Sequence, residues 1–351
     1  MSSPRVGLRA LLLTAGCAAP LDDNSGLITE ERLLAVVARP AEVAPGEAQA
    51  LAGVWAGPEG LLPEAPLGWG LCLRPKPLAE LGPAAPECLE AESDALERLP
   101  DGPTVSLSTP VDACSLFGPN PPPPIEGEDP GRPADPDITG GFYQPVAVFA
   151  PGAGEGDPAV GLASTRLRCG LANVSQETYV AWNEGYHNNA APEVESIRLR
   201  VDGADLDLTW TDAATAAARV PAGGTVDLRL TWPDCPLEPS CGDGICGGGE
   251  TVEECPDDCE GGAGACGGAE TYIVHSPGTE ALDLVREAIS VAWFTTGGAL
   301  GSPRAGRSED DTARSVDGQW RAPSAGEELL VAVVRDSRGG ITALSLTLTV
   351  E

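Results

Sequence analysis

The chain is short of nearly every residue that marks a nucleic-acid binder, a membrane span or a common hydrolase. Lys76 is the only lysine, and 21 Lys+Arg stand against 53 Asp+Glu for a formal net charge of −32. No basic patch interrupts that excess, so a phosphate polyanion would be repelled and nucleic acid is excluded as a partner. No run reaches the ~18–20 apolar residues of a membrane-spanning helix. Aromatics make up 4% of the chain, and there are only two histidines, His187 and His275. Neither histidine belongs to a G-x-S-x-G, H-E-x-x-H or phosphate-cradling G-x-x-x-x-G-K pattern, so no catalytic residue is assigned and the chain is read as not an enzyme. What is abundant is glycine (44), proline (34) and cysteine (11), with 42% hydrophobic residues, enough to build a core.

Residues 1–16 have the layout of an export signal: Arg5 and Arg9, a short apolar stretch 10–13, then Thr14-Ala15-Gly16 before Cys17. The cysteine after Ala-Gly resembles a bacterial lipobox, with Thr14 where leucine is commonest. The resemblance implies acylation of Cys17, residues 17–29 as an acylated tether, and a membrane partner through the lipid. Ala18 rather than aspartate after the cysteine implies, by the same resemblance, the outer membrane of a Gram-negative cell envelope.

Ten cysteines remain: Cys72, Cys88, Cys114, Cys169, Cys235, Cys241, Cys246, Cys255, Cys259 and Cys266. In an exported chain they read as five disulfides, two in the first half and three in the second. The pair Cys72/Cys88 closes a proline-rich excursion, and Cys114/Cys169 ties back the loop 116–141. Cys235 and Cys266 flank the crowded stretch and are expected to close its neck. That stretch, C-x-D-G-x-C-x3-E-x4-C-x2-D-C over 241–259, resembles a short cysteine-rich module of exported myxobacterial proteins. Its spacing lacks the C-x2-C knuckle of a zinc site. Asp243, Glu250, Asp257 and Asp258 carry oxygen ligands suited to calcium, and the plainer alternative is that they are solvated loop carboxylates.

The remainder alternates apolar and polar residues in short runs between Gly, Pro, Asn and Asp, which predicts an all-β fold. Strands are expected at 32–39, 48–55, 68–73, 104–109, 144–149 and 163–169, and again at 194–201, 220–232, 287–294, 319–323, 328–336 and 342–350. The P-x-x-V-x-P-G-E opening resembles immunoglobulin-like modules, and W-x-A-P followed by R-D-S-R-G-G resembles PKD-like ones. The resemblance implies two immunoglobulin-like β-sandwiches in tandem, 30–174 and 194–351, joined by a helical linker 175–193. The cysteine-rich segment 235–266 would be an insertion between strands B and C of the second, and Gly339-Gly340 would supply the positive φ values of an F–G turn. Tyr179, Trp182 and Tyr186 fall on one face of the linker helix. Trp182 and Tyr186 are read either as a sugar-binding platform or as a stripe packed on a sandwich.

Taken together, the features G-W-G-L-C at 68–72, R-P-K-P-L-A-E at 74–80, D-P-D-I-T-G-G-F-Y-Q-P at 135–145 and C-G-L-A-N at 169–173 resemble cell-envelope lipoproteins of myxobacteria and their relatives. The resemblance implies an anchored, non-enzymatic protein of adhesion or surface assembly, partnered by envelope proteins. The alternatives are a polysaccharide-binding module, with or without calcium, and an enzyme of unrecognised type. No other cofactor is implied.

Overall fold

The computed structural model describes residues 25–76, 83–119, 137–150, 159–201, 204–208, 216–237, 240–242, 250, 253–259 and 266–351. Cys17, Asp243 and Cys246 lie outside them. The chain forms β-sandwiches whose strand order is immunoglobulin-like.

In the first sandwich, β1 (Arg32–Arg39), β3 (Ala48–Gly57), β4 (Gly60–Leu61) and β7 (Thr104–Ser108) make one sheet. The other runs in the order β2 (Glu42–Val43), β9 (Ala159–Arg168), β8 (Gly141–Ala150), β5 (Gly68–Cys72), β6 (Leu96–Leu99). β1 and β2 are one strand A that changes sheets, so that β2 pairs in parallel with the last strand, β9. Alternation sends Val36, Leu51, Trp55, Trp69, Leu71, Val105, Leu107, Val146 and Val148 into a single core. Trp69 is fully buried and its indole N–H donates to the Gly102 carbonyl at 2.8 Å.

The second sandwich repeats the plan. β10 (Ser196–Val201), β11 (Ala204–Leu208), β13 (Thr225–Thr231), β17 (Ala299–Leu300) and β19 (Ser315–Arg321) form one sheet, in the order β11-β10-β13-β19-β17. β12 (Ala216–Val220), β16 (Ile289–Thr295), β18 (Arg304–Arg307), β20 (Gly326–Asp336) and β21 (Ile341–Val350) form the other, in the order β12-β21-β20-β16-β18. Trp293 on β16 is buried in the core, as Trp69 is on β5. Between β13 and β16 stand the disulfide segment and a hairpin, β14 (Thr271–Ser276) with β15 (Ala281–Arg286). Among the described residues, disulfides pair Cys72–Cys88, Cys114–Cys169, Cys235–Cys266 and Cys241–Cys255. Of the short helices, α1 (Ala113–Phe117) carries Cys114, and α2 (Gln176–Gly185) starts at Ser175, whose hydroxyl accepts from the Thr178 N–H at 3.1 Å.

β20 reads Leu329-Leu-Val-Ala-Val-Val334 without interruption, because both its faces are covered. Leu330, Ala332 and Val334 enter the sandwich core, whereas Leu329, Val331 and Val333 face the first sandwich. There they meet Ile28, Leu34, Ala35 and Ala56, with Phe294, Ile341 and Ala343 at the margin. The sandwiches therefore stack through a dry seam, sheet on sheet. Residues 25–28, read above as the end of the tether, belong to this seam. Ile28 is 1% exposed, its N–H donates to the Thr295 carbonyl, and the Thr295 N–H donates to Gly26, both at 2.8 Å. The sequence reading missed this docking because a single buried isoleucine carries no periodicity.

Val333→Glu places a carboxylate in that seam and costs at least ~2 kcal/mol. The expected result is separate unfolding of the two sandwiches and a larger radius in small-angle scattering. Unchanged scattering with one cooperative transition would contradict the seam.

Candidate functional site

Beside the dry seam, the two sandwiches share a polar joint. Glu42 on β2, Tyr143 on β8 and Arg166 on β9 come from the first sandwich. Glu270 and Glu287, from the ends of the β14–β15 hairpin, and Asp336 and Arg338, from the β20–β21 turn, come from the second. The segment after α2 threads between them with Tyr186, His187 and Asn189.

Arg166 Nε donates to Glu42 Oε2 at 3.2 Å, its Nη1 to the Tyr143 hydroxyl at 2.8 Å and its Nη2 to Thr139 Oγ1 at 2.9 Å. The Tyr143 hydroxyl donates across the boundary to the Arg338 carbonyl at 2.8 Å. Glu42 also accepts from the Asn189 N–H at 2.8 Å and from the Tyr186 hydroxyl. Arg338 is 1% exposed, with Nε on Glu287 at 2.6 Å, Nη2 on Glu270 at 2.7 Å and Nη1 on the His187 carbonyl at 3.3 Å. Its guanidinium carbon lies 4.9 Å from the Tyr272 ring centre. Asp336 accepts the N–H groups of Arg338 and Gly340, both at 2.8 Å, and the Asn189 side-chain amide.

Four buried carboxylates thus face two guanidiniums. Burial, opposed in part by Arg338, pushes Glu270 up to about 7, and burial with the nearby Glu287 pushes Asp336 up to about 7. Burial, again opposed by Arg338, also raises Glu287. Burial and the adjacent Arg338 charge lower His187 to about 4, so its imidazole is neutral at physiological pH. The arrangement is a proton-holding clamp whose groups are spent on one another.

The glycines of the D-P-D-I-T-G-G-F-Y stretch explain themselves here. Gly140 takes φ +77° beneath the Trp182 ring, and a Cβ on Gly141 would collide with the Arg166 guanidinium. In the F–G turn only Gly339 has a positive φ, +94°. Gly340 is held to glycine by space, since a Cβ there would strike the Asp336 carboxyl and crowd the Ala190 carbonyl. This corrects the expectation of two positive φ values.

Of the two readings of Trp182 and Tyr186, the geometry fits the stripe packed on a sandwich. Trp182 is 1% exposed, packed between Gly140 and the rings of Tyr179 and Tyr186 at 5.9 and 4.5 Å, and the Tyr186 hydroxyl is tied to Glu42. Trp182 and the Tyr186 hydroxyl serve the joint, while Tyr179 at the edge of the stripe is exposed. His275 is buried in β14, its backbone N–H donating to the Ile138 carbonyl at 2.8 Å. Of the acids set aside for calcium, Glu250 and Asp258 are buried, and their donor atoms lie within 4.8 Å of each other and of Cys255 Sγ. Their carboxylates accept the Ser240 and Gly242 N–H groups, and that sulfur is already bonded to Cys241. Asp257 is exposed. The sequence reading missed Glu42, Arg166, Glu270, Glu287, Asp336 and Arg338 because buried charges on strand ends look like surface charges until the partner sheet is placed.

No protein-family model matches the chain, and no curated protein does. Among solved structures, it is similar over 92% of its length to the D00-D0 domain of intimin (7% identity, 98% of that chain, TM-score 0.20). The same share is similar to PorU of Porphyromonas gingivalis (11%, TM-score 0.19) and to an α2-macroglobulin of Escherichia coli (8%, TM-score 0.24). The chain spans about a third of the length of PorU and a sixth of the macroglobulin. These scores are too low to assign fold or function, and the strand order above is what identifies the sandwiches.

Between roughly pH 4 and 7 the folded chain keeps protons on Asp336 and Glu270 that the unfolded chain gives up. Their contribution to stability is therefore greatest near pH 4 and is lost as pH rises toward and past about 7, by ~1.4 kcal/mol per pKa unit and group. Asp336→Asn, which keeps the acceptor for Arg338 and Gly340, should shrink the fall in melting temperature between pH 5 and pH 8. An identical fall in the variant would contradict the assignment.

Proposed function

We propose that this chain is a non-enzymatic, lipid-anchored protein of the cell envelope that acts in adhesion or surface assembly through protein contacts. The observation that carries the reading is the joint: two immunoglobulin-like sandwiches are locked into one unit by a dry seam and a clamp of buried charges. Such a unit presents surfaces at a fixed angle, which suits a contact protein. The disulfides among the described residues fit an oxidising, extracytoplasmic setting. The anchor is proposed at Cys17, before a short tether that ends where residues 25–28 dock.

Labelling with an alkyne fatty acid should mark the wild-type protein and leave Cys17→Ser unmarked and released from the membrane fraction. Cross-linking on intact cells followed by mass spectrometry should then recover defined envelope proteins with the wild type and lose them with Cys17→Ser. Labelling that persists in Cys17→Ser refutes the anchor. Recovery of polysaccharide alone refutes the protein-contact reading.

A further inference from the structure

The polar joint holds more acid than its cations neutralise. On the side of the second sandwich, Glu270, Glu287 and Asp336 share one guanidinium, that of Arg338. Its side chain is spent on the two glutamates. Asp336 is held instead by the backbone N–H groups of Arg338 and Gly340 and by the Asn189 amide. All three acids are buried. Fully ionised, they would leave two buried negative charges uncompensated, so the closed joint keeps protons.

The groups packed against this cluster set the balance. From the first sandwich come Arg166, already on Glu42, and Tyr143, with Asp137 beside it. Tyr186 and His187 come from the segment after α2, and Tyr272 with Glu309 flanks the hairpin side. Arg166 favours the charged form of Glu287, and Glu287 disfavours that of Glu270 and Asp336. With burial, this keeps Glu270 and Asp336 protonated up to about 7. His187 works in the opposite sense, since it is neutral in the closed joint down to about 4 and regains its ordinary 6.5 when exposed.

These groups sit where the molecule can open without unfolding. Asp336 ends β20, Arg338 stands in the turn that follows, and Glu270 and Glu287 bracket a two-stranded hairpin. None of them belongs to either sandwich core. The bonds that cross the boundary here are polar and directed. The Tyr143 hydroxyl reaches the Arg338 carbonyl, Arg338 reaches the His187 carbonyl, and Asn189 stands between Glu42 and Asp336. A small rotation breaks such bonds, whereas the apolar seam keeps its contacts.

We propose that the joint is a proton-gated hinge. In mild acid its protonated carboxylates hold the two sandwiches at one angle, and above neutral pH their ionisation draws water into the joint and frees that angle while both cores stay folded. Opening releases the protons of Glu270 and Asp336 and, below about 6.5, adds one to His187. The net is proton release, so alkali opens the hinge and acid closes it. The inference gives a regulation to the joint that carries the protein-contact reading, and it rests on that reading for its use at a cell surface. Its test needs neither anchor nor partner, so failure here leaves the envelope cross-linking result standing.

Native-state hydrogen exchange on the purified full-length protein, corrected for the intrinsic pH dependence of exchange, reads the opening amide by amide. The Asn189, Arg338 and Gly340 amides are expected to be less protected than the core amides of Val291 and Val334, and to respond little to low urea, because opening exposes little surface. From pH 5 to pH 8 their protection is expected to fall ~10²-fold, the net of two carboxylate protons released and one histidine proton no longer gained. Asp336→Asn reduces the fall to ~3-fold. Glu270→Gln does the same and serves where the first variant fails to fold. Joint amides that match the cores in protection and urea dependence, a protection unchanged between pH 5 and pH 8, or a fall that neither variant reduces overturns the proposal.

Discussion

The geometry of the whole molecule depends on Arg338. It sits in a hairpin turn, where an arginine would ordinarily reach into water, yet it is 1% exposed and bridges two glutamates. Its carbonyl takes the Tyr143 hydroxyl of the other sandwich, and its guanidinium takes the His187 carbonyl of the linker. One residue therefore touches both sandwiches, the linker and the hairpin that follows the disulfide segment. Desolvating three charges is expensive, and an apolar replacement of the whole cluster would cost little or even stabilise. Removing one partner would instead strand a buried charge at ~3–5 kcal/mol. The cluster is thus a better specifier of one relative orientation than a source of stability.

The dry seam and the polar joint divide that labour. Leu329, Val331 and Val333 against Leu34, Ala35 and Ala56 supply apolar burial that is nearly indifferent to small rotations. The hydrogen bonds of Glu42, Asn189, Asp336 and Arg338 have directions, so they select one angle from those the seam allows. The surplus of carboxylates makes that selection conditional on protons, since two positive charges cannot neutralise four negative ones. A chain carrying −32 overall thus keeps part of its acidity inside, where it does mechanical work at the boundary.

Much of the fold was legible in alternation. Residues 194–201 and 342–350 alternate with period two because one face meets a core, and the strands fall there as Ser196–Val201 and Ile341–Val350. β1 and β20, expected as strands at 32–39 and 328–336, fall there without clean alternation. Their near-continuous apolar runs record a second covered face, which requires a second sandwich that a local window does not contain. The joint was illegible for a related reason. Glu42, Arg166 and Asp336 come from strands 124 to 294 positions apart in their closest and widest separations, and only the strand order brings them together. The D-P-D-I-T-G-G-F-Y stretch was the one local signal, two adjacent glycines before an aromatic strand with no turn chemistry to need them both. Their purpose is close approach to Trp182 and Arg166.

The disulfide segment is bound to the same centre. Cys235 and Cys266 close its neck, Glu270 Oε1 accepts the Cys266 N–H at 2.7 Å, and Glu270 Oε2 holds Arg338 at 2.7 Å. The adjacent Gly267 carbonyl takes the Glu193 N–H at the end of the linker. One carboxylate thus fixes the base of the crosslinked segment with one oxygen and the inter-sandwich clamp with the other. Anything that protonates or displaces Glu270 acts on both at once. The base of a segment with few apolar residues is thereby fixed at the boundary between two sandwiches that each have a core.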